Sequence, residues 1–234
     1  MGFQHNTLLE LLGGVREFET DVYPENEKLF KSLAYTQQPP TLFITCADSR
    51  ISPGMLTQTE PGELFLIRNV GNIVPAYGNM VGSVTSAIEY AVGALKVKNI
   101  IICGHSNCGA MNALLELNSP KLDAMPTVRR WLCNAEAALA SLPDLKAEDA
   151  GPEEIKSLAE ANVRLQLAHL RTHPVVARAL ARQELEIEGW YYDIKNGVVK
   201  VLDEHSPRSY TVEEAIAYLK DQKKAQGDTP ASGS

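Results

Sequence analysis

The 234 residues carry 29 acidic against 22 basic side chains, a formal net charge of −7. That balance disfavours a broad nucleic-acid or anionic-membrane surface, although a small anionic substrate answers to the field of a pocket and is not excluded. A hydrophobic share of 44% is ample for the core of one sizeable α/β domain, or at most two small ones, and no apolar run approaches the ~20 residues of a membrane span.

The opening MGFQHN has the Met-Gly of a myristoylation site, but Asn6 stands where Ser or Thr is required. No basic stretch followed by an apolar one marks a secretory signal, so a cytoplasmic location is expected. Residues 1–38 read as a helical arm. Leu8, Leu9, Leu11 and Leu12, then Leu29, Phe30 and Leu33, supply apolar positions among acidic ones, until Gln37-Gln38-Pro39-Pro40 breaks the helix. An arm placed before the first core strand suits packing on a partner subunit or on the domain's flank.

Thr41 to Thr45, Glu63 to Ile67 and Ile100 to Cys103 are continuous apolar runs, which predicts strands covered on both faces. Between the second and third, Val84, Ala87, Ile88, Ala91, Val92 and Leu95 form one helical stripe. Strand, helix, strand implies parallel pairing. A helix over Met111 to Leu117 continues the third strand's segment. Gly151-Pro152, with two glutamates behind it, starts another, and Pro174 a further one. Leu185 to Ile194 and Val198 to Leu202 flank Lys195-Asn196-Gly197, a strong hairpin signal. The expected fold is α/β: a mainly parallel central sheet flanked by helices, with an N-terminal helical arm and a C-terminal β-hairpin. It forms a single domain over 1–225, with the arm at 1–38 and the core at 39–225. Residues 226–234, ending in GDTPASGS, have almost no apolar content and are expected to be a disordered tail.

Four cysteines, at 46, 103, 108 and 133, are too few for a disulfide scaffold and predict reduced thiols. Ligands in open α/β sheets bind beyond the carboxyl ends of strands. Cys46 ends one apolar run, His105 lies just past another, and Cys108 follows at the start of a helix, where unpaired N–H groups favour thiolate. A Cys₂His set leaves a fourth tetrahedral position open, the mark of catalytic rather than structural zinc. The competing reading is that a strand-end cysteine is a small buried hydrophobe. Cys103 and Cys133 are read in that way, as core residues. His5, His169, His173 and His205 are assigned surface or packing roles. A cysteine-phosphatase cradle fails because Arg50 follows Cys46 too closely. The serine-hydrolase elbow G-x-S-x-G fails because Cys108 stands where its last Gly belongs. Asp48 is either a fourth metal ligand, or a carboxylate held by a two-bond Arg50 pair as a hydrogen-bond acceptor beside the metal, or an Asp-Ser helix cap with an ordinary surface ion pair.

Together Cys46-Ala-Asp48-Ser-Arg50, EPGELFLIRNVGNIV, SAIEYAV and Cys103-Gly-His105-Ser-Asn-Cys108-Gly-Ala resemble the β-class carbonic anhydrases. The later GWYYDI is similar to that family too. The resemblance implies an enzyme that interconverts CO₂ and bicarbonate by a zinc-bound hydroxide. It implies one Zn²⁺ per chain on Cys46, His105 and Cys108, with Asp48 and Arg50 as the catalytic dyad. Gln37, Phe65, Val70 and Tyr90 fall on positions that line the family's substrate pocket, and Gly109 offers a backbone N–H. In the family some of these groups reach the site from a neighbouring subunit, which implies a homodimer or a higher homo-oligomer, tetramer or octamer. One kind of family member carries a bicarbonate-operated switch with a Trp three residues before the first zinc cysteine. Phe43 stands there, so the chain resembles the plant-like kind with an open fourth position, although Arg68 and Tyr191 or Tyr192 match other parts of the switch. The wording TLFI, QTEPGELF and ICGHSNCGAM is nearest to bacterial members, including those that accompany cyanate breakdown. The alternative activity on the same scaffold is hydrolysis of carbonyl sulfide or carbon disulfide. A zinc-stabilised structural protein is disfavoured because all five ligand and dyad residues are present.

Overall fold

The structure is a computed structural model that describes residues 3–78, 82–147 and 150–226. Of the expected tail, only Gln226 falls within the described residues. The side chains of residues 3–5, including His5, and of 223, 225 and 226 also lie outside them. The chain divides by its internal packing into Met1–Gln38 and Pro39–Ser234.

The first unit is helical. Helix α1 (Phe3–Glu17) runs through a π-helical turn at Phe18–Val22 into the short α2 (Tyr23–Glu25), and α3 (Glu27–Leu33) follows. Phe18, Tyr23 and Phe30 pack their rings together at centroid distances of 5.5 to 6.2 Å. The leucines at 8, 9, 11 and 12 are all exposed.

The second unit is built on six strands: β1 (Thr41–Cys46), β2 (Leu64–Asn69), β3 (Asn99–His105), β4 (Glu186–Asp193), β5 (Val198–Leu202) and β6 (Ser209–Thr211). Their order in the sheet is β2-β1-β3-β4-β5-β6. The first four pair in parallel, and β5 and β6 add on antiparallel. The sheet is therefore mixed, mainly parallel and flanked by helices. The predicted hairpin is β4–β5.

β1 and β3 are buried along almost their whole length, as continuous apolar strands with cover on both faces must be. β2 corrects the sequence reading. It is an edge strand, and Leu66 is 46% exposed and Arg68 also faces solvent. An apolar run marks a strand but does not say whether the same chain covers both its faces.

Helix α4 (Pro53–Thr57) lies between β1 and β2. The stripe from Val84 to Leu95 forms α5 (Ser83–Tyr90) and a π-helical turn at Ala91–Leu95. After β3 come α6 (Gly109–Leu115), α7 (Pro126–Leu132), α8 (Glu136–Ala140), α9 (Pro152–Thr172) and α10 (Pro174–Ala181). Glu154 Oε2 accepts from the Gly151 N–H at 3.0 Å, closing the start of α9 behind Pro152. Ile155, Leu158, Val163, Leu167 and Leu170 of α9 are buried in the core. Val163 lies so close to the sheet that a Cβ on Gly104 or Gly189 would come within 2.8 Å or 2.7 Å of it. The helix thus rests on β3 and β4, the strands whose ends matter below. Helices α7 and α8, strand β6 and helix α11 (Val212–Gln226) were not anticipated from the sequence. β6 is too short to show alternation, and α11 buries too little to need a full apolar stripe.

Candidate metal centre

The parallel register sets the site. Thr45 of β1 lies opposite Cys103 of β3, so Cys46 and Gly104 end level and His105 is one residue further along. Beyond β3, Asn107 turns the chain with a φ of 50°, and Cys108 caps α6 with extended backbone. Cys46 Sγ and Cys108 Sγ lie 4.0 Å apart. The two sulfurs and an imidazole nitrogen of His105 lie within 4.8 Å of one another, and all three residues are buried.

His105 Nδ1 lies 2.9 Å from the Ser106 carbonyl, which fixes the proton on Nδ1 as the donor. Ser106 is itself held. Its N–H donates to the Tyr192 carbonyl at 2.9 Å, and its Oγ accepts from the Ile194 N–H at 3.0 Å. His105 Nε2 is then a buried lone pair with no hydrogen-bond partner among the described residues. An orphaned acceptor of that kind is rare unless a ligand satisfies it. A tetrahedral ion with metal–sulfur bonds of about 2.3 Å separates two sulfurs by about 3.8 Å. The 4.0 Å observed between Cys46 and Cys108 fits that edge, and the thiolate–imidazole donor set suits zinc.

The two sulfurs lie within hydrogen-bonding distance of each other. The hydrogen bond between them lowers the Cys46 pKa, against burial and with help from His105 and the Gly71 N–H. The same bond, with burial, pushes Cys108 up. Thiolate is the form that binds a cation, so binding releases thiol protons.

Asp48 sits beside this group. Its Oδ1 accepts from Arg50 N–H at 3.0 Å and Arg50 Nε at 2.9 Å, and its Oδ2 from Arg50 Nη2 at 2.8 Å. That clamp holds the Asp48 carboxyl well below the usual carboxylate range. Oδ2 is 3.9 Å from His105 Nε2. Arg50 Nη2 also donates to the Asn107 carbonyl at 3.1 Å, tying the ends of β1 and β3 together. The helix-cap alternative does not hold, since the following helix starts only at Pro53 with Ser52 at its cap. Arg68, from β2, braces the same segment by donating to the carbonyls of Cys46 at 3.2 Å and Asp48 at 2.6 Å.

Phe65 and Tyr90 meet with ring centroids 5.9 Å apart. Val70 follows directly on β2 and is exposed, as is Tyr90. Gly109 is the first residue of α6, next to Cys108. Gln37 belongs to the N-terminal unit. Cys103 is buried in β3 as expected, with its thiol pushed up to about 12 by burial. Cys133 corrects the sequence reading: it is exposed at the end of α7, while its neighbour Leu132 takes the core position. His169 and His173 pack against the carbonyls of Val74 and Pro75, and His205 is exposed. One contact was missed from the sequence. The Gly71 N–H donates to Cys46 Sγ at 3.4 Å. Its only signal was a glycine just past an apolar strand.

The sequence model of the family described as carbonic anhydrase matches residues 41–199. The carbonic anhydrase of Pseudomonas aeruginosa is 48% identical over 207 residues, covering 88% of this chain and 92% of that one. Carbonic anhydrase 1 of Escherichia coli O157:H7 is 45% identical, covering 83% of this chain and 87% of that one. Among solved structures, the β-carbonic anhydrase CcaA matches with a TM-score of 0.84 at 38% identity, over 88% of this chain and 92% of that one. A tetrameric β-carbonic anhydrase from Sordaria macrospora matches with a TM-score of 0.75 at 29% identity, over 88% of this chain and all of that one (100%).

Proposed function

The chain belongs to the β-class carbonic anhydrases, and from that premise we propose that it hydrates CO₂ reversibly at a zinc ion held by Cys46, His105 and Cys108, with Asp48 and Arg50 orienting the attacking water. The observation that carries this reading is the buried, partnerless His105 Nε2 facing two buried sulfurs, with an arginine-clamped carboxylate 3.9 Å away. When bound, zinc lowers the pKa of a coordinated water from about 16 towards 7 and so supplies a nucleophile at neutral pH.

The chain's own residues do the rest. Asp48 is an acceptor only, because Arg50 keeps it ionised and occupies one face of it. Its Oδ2 is placed to accept a hydrogen bond from the attacking water and so turn the oxygen lone pair towards CO₂. Phe65, Val70 and Tyr90 offer an apolar wall to an uncharged linear substrate. The Gly109 N–H and Gln37 receive the oxygens that gain charge. The proton leaves to buffer. Asp48 is paired with Arg50 rather than turned to the ligand set, and Phe43 is buried edge-on against Trp190 at 5.9 Å. Both observations favour the plant-like kind with an open fourth position.

The test joins metal content to turnover. Protein purified without chelator should hold one zinc per chain and hydrate CO₂ in a stopped-flow assay. Cys108→Ser should lose both. Asp48→Asn should keep zinc and lose at least about 10²-fold in kcat, the scale of a positioned proton acceptor. Sulfide release from carbon disulfide without CO₂ hydration would instead favour the hydrolase reading.

A further inference from the structure

The Cys46 sulfur accepts a hydrogen bond from the backbone amide of Gly71 at 3.4 Å. This amide belongs to a tightly held turn. The carbonyl of the same peptide group, on Val70, accepts from Trp131 Nε1 of α7 at 2.8 Å. The next carbonyl, on Gly71, accepts from Asn162 Nδ2 of α9 at 3.0 Å. Asn162 is fixed in turn, since Gln166 Nε2 donates to its Oδ1 at 2.8 Å, and Gln166 Oε1 accepts from the Val74 N–H at 2.9 Å. Asn162 and Gln166 are 1% and 0% exposed. Gly71 has a φ of +79°, and a Cβ there would come within 2.9 Å of the Ala110 Cβ, so the turn is specific to glycine.

Two side-chain donors from two helices thus hold two successive carbonyls, and the amide between them has one direction left, towards the sulfur. A peptide whose carbonyl accepts a bond donates a stronger one through its N–H, because the two dipoles polarise each other. Groups that hold a metal ligand in this way set both its orientation and the charge it gives the metal.

We propose that Trp131 and Asn162 are positioning residues of the metal centre: they lock the Val70–Gly71–Asn72 turn so that the Gly71 N–H donates to Cys46 Sγ and holds that sulfur, as thiolate, in place for the cation. The inference rests on the reading of Cys46 as a metal ligand. A hydrogen bond to a thiolate lowers the energy of the sulfur lone pairs, so its loss makes the sulfur easier to oxidise by charge transfer to the metal.

The test uses the full chain loaded with Co²⁺, whose sulfur-to-cobalt charge-transfer band reports on the thiolates. Trp131→Phe keeps an aromatic ring and removes only the N–H. Asn162→Leu removes the second donor independently. Each should move the band to lower energy, and chelator competition should show metal affinity lowered about 10-fold. Trp190→Phe is the control. It also loses an indole N–H, one that donates to Glu188 at 3.0 Å away from the turn, and it should leave band and affinity unchanged. Variants that fold and load cobalt with an unmoved band and wild-type affinity overturn the proposal. A wild-type protein that binds no cobalt and shows no such band refutes the ligand assignment instead. Hydrogen exchange on the wild type needs no variant: the Gly71 amide should be protected, and rapid exchange there also overturns the proposal.

Discussion

Each of the four cysteines has its own environment, and their reactivity follows from it. Cys103 lies inside β3, and burial pushes its thiol up to about 12, so almost no thiolate forms near neutral pH. Cys133 is exposed at the end of α7. Cys46 and Cys108 are buried and, in the proposed metal centre, tied up as ligands. In the metal-loaded native protein, Ellman's reagent should therefore titrate one thiol per chain, Cys133. Chelator at the same pH should bring Cys46 and Cys108 into reaction, and only unfolding should add Cys103. Release of all four without unfolding would contradict this ordering. The sequence marked Cys46, His105 and Cys108 by type and spacing alone. It misjudged Cys133 because a residue beside Trp131 and Leu132 on a helix turns to a different face from either, and the helix's rotation about its axis is not written in local composition.

Among the elements, α9 has the most tasks. Its apolar face lies on β3 and β4, its Asn162 and Gln166 hold the turn after β2, and its C-terminal end pairs with the loop after β5. There Arg171 Nε and Nη2 donate to Glu204 Oε1 and Oε2 at 2.7 and 2.6 Å, and this pair holds the Glu204 carboxyl below its ordinary range. A carboxylate with a folded pKa below its unfolded value near 4.3 stabilises the fold above that value and loses the contribution as pH falls towards the folded pKa. Glu204→Gln should lower stability at pH 7 by about 1 kcal/mol or less, since Arg171 remains partly in solvent. The difference from wild type in denaturant melts should shrink below about pH 4. A difference that grows on acidification would reverse the assigned sign. The start of α9 was legible from Gly151-Pro152 and the glutamates behind it. Its polar residues were not, because a buried Asn or Gln reads in sequence as solvent-facing until the loop it serves is in place. The hairpin was legible because Asn196-Gly197 acts within its own turn. β6 and α11 were not, because they depend on an edge already formed by β5.

At the level of the whole molecule, much apolar surface is left open. α1 exposes Leu8, Leu9, Leu11 and Leu12, and the edge strand β2 exposes Leu66, with Val70 just beyond it. Exposed apolar surface on that scale marks an interface. We propose a second copy of the chain as its partner, in line with the tetrameric relatives from Sordaria macrospora. Light scattering behind size exclusion should give a dimer or a multiple of it, and replacing Leu8 and Leu12 together by Glu should lower the mass or precipitate the protein. A monodisperse monomer for the wild type would rule the assembly out.

Periodicity and motif spacing determined the α/β class, the mainly parallel sheet, the helical arm, the hairpin and the Cys46, His105 and Cys108 group that could hold a metal. These follow from side-chain patterns that act over a few residues, and such patterns survive in a linear text. The tertiary structure alone decided that Cys46 meets His105 and Cys108, that Asp48 stays with Arg50, that β2 is an edge, and that Trp131 and Asn162 grip the Gly71 turn. Each of these depends on strand register and on the seating of α7 and α9, which join residues dozens of positions apart through packing that no local pattern encodes.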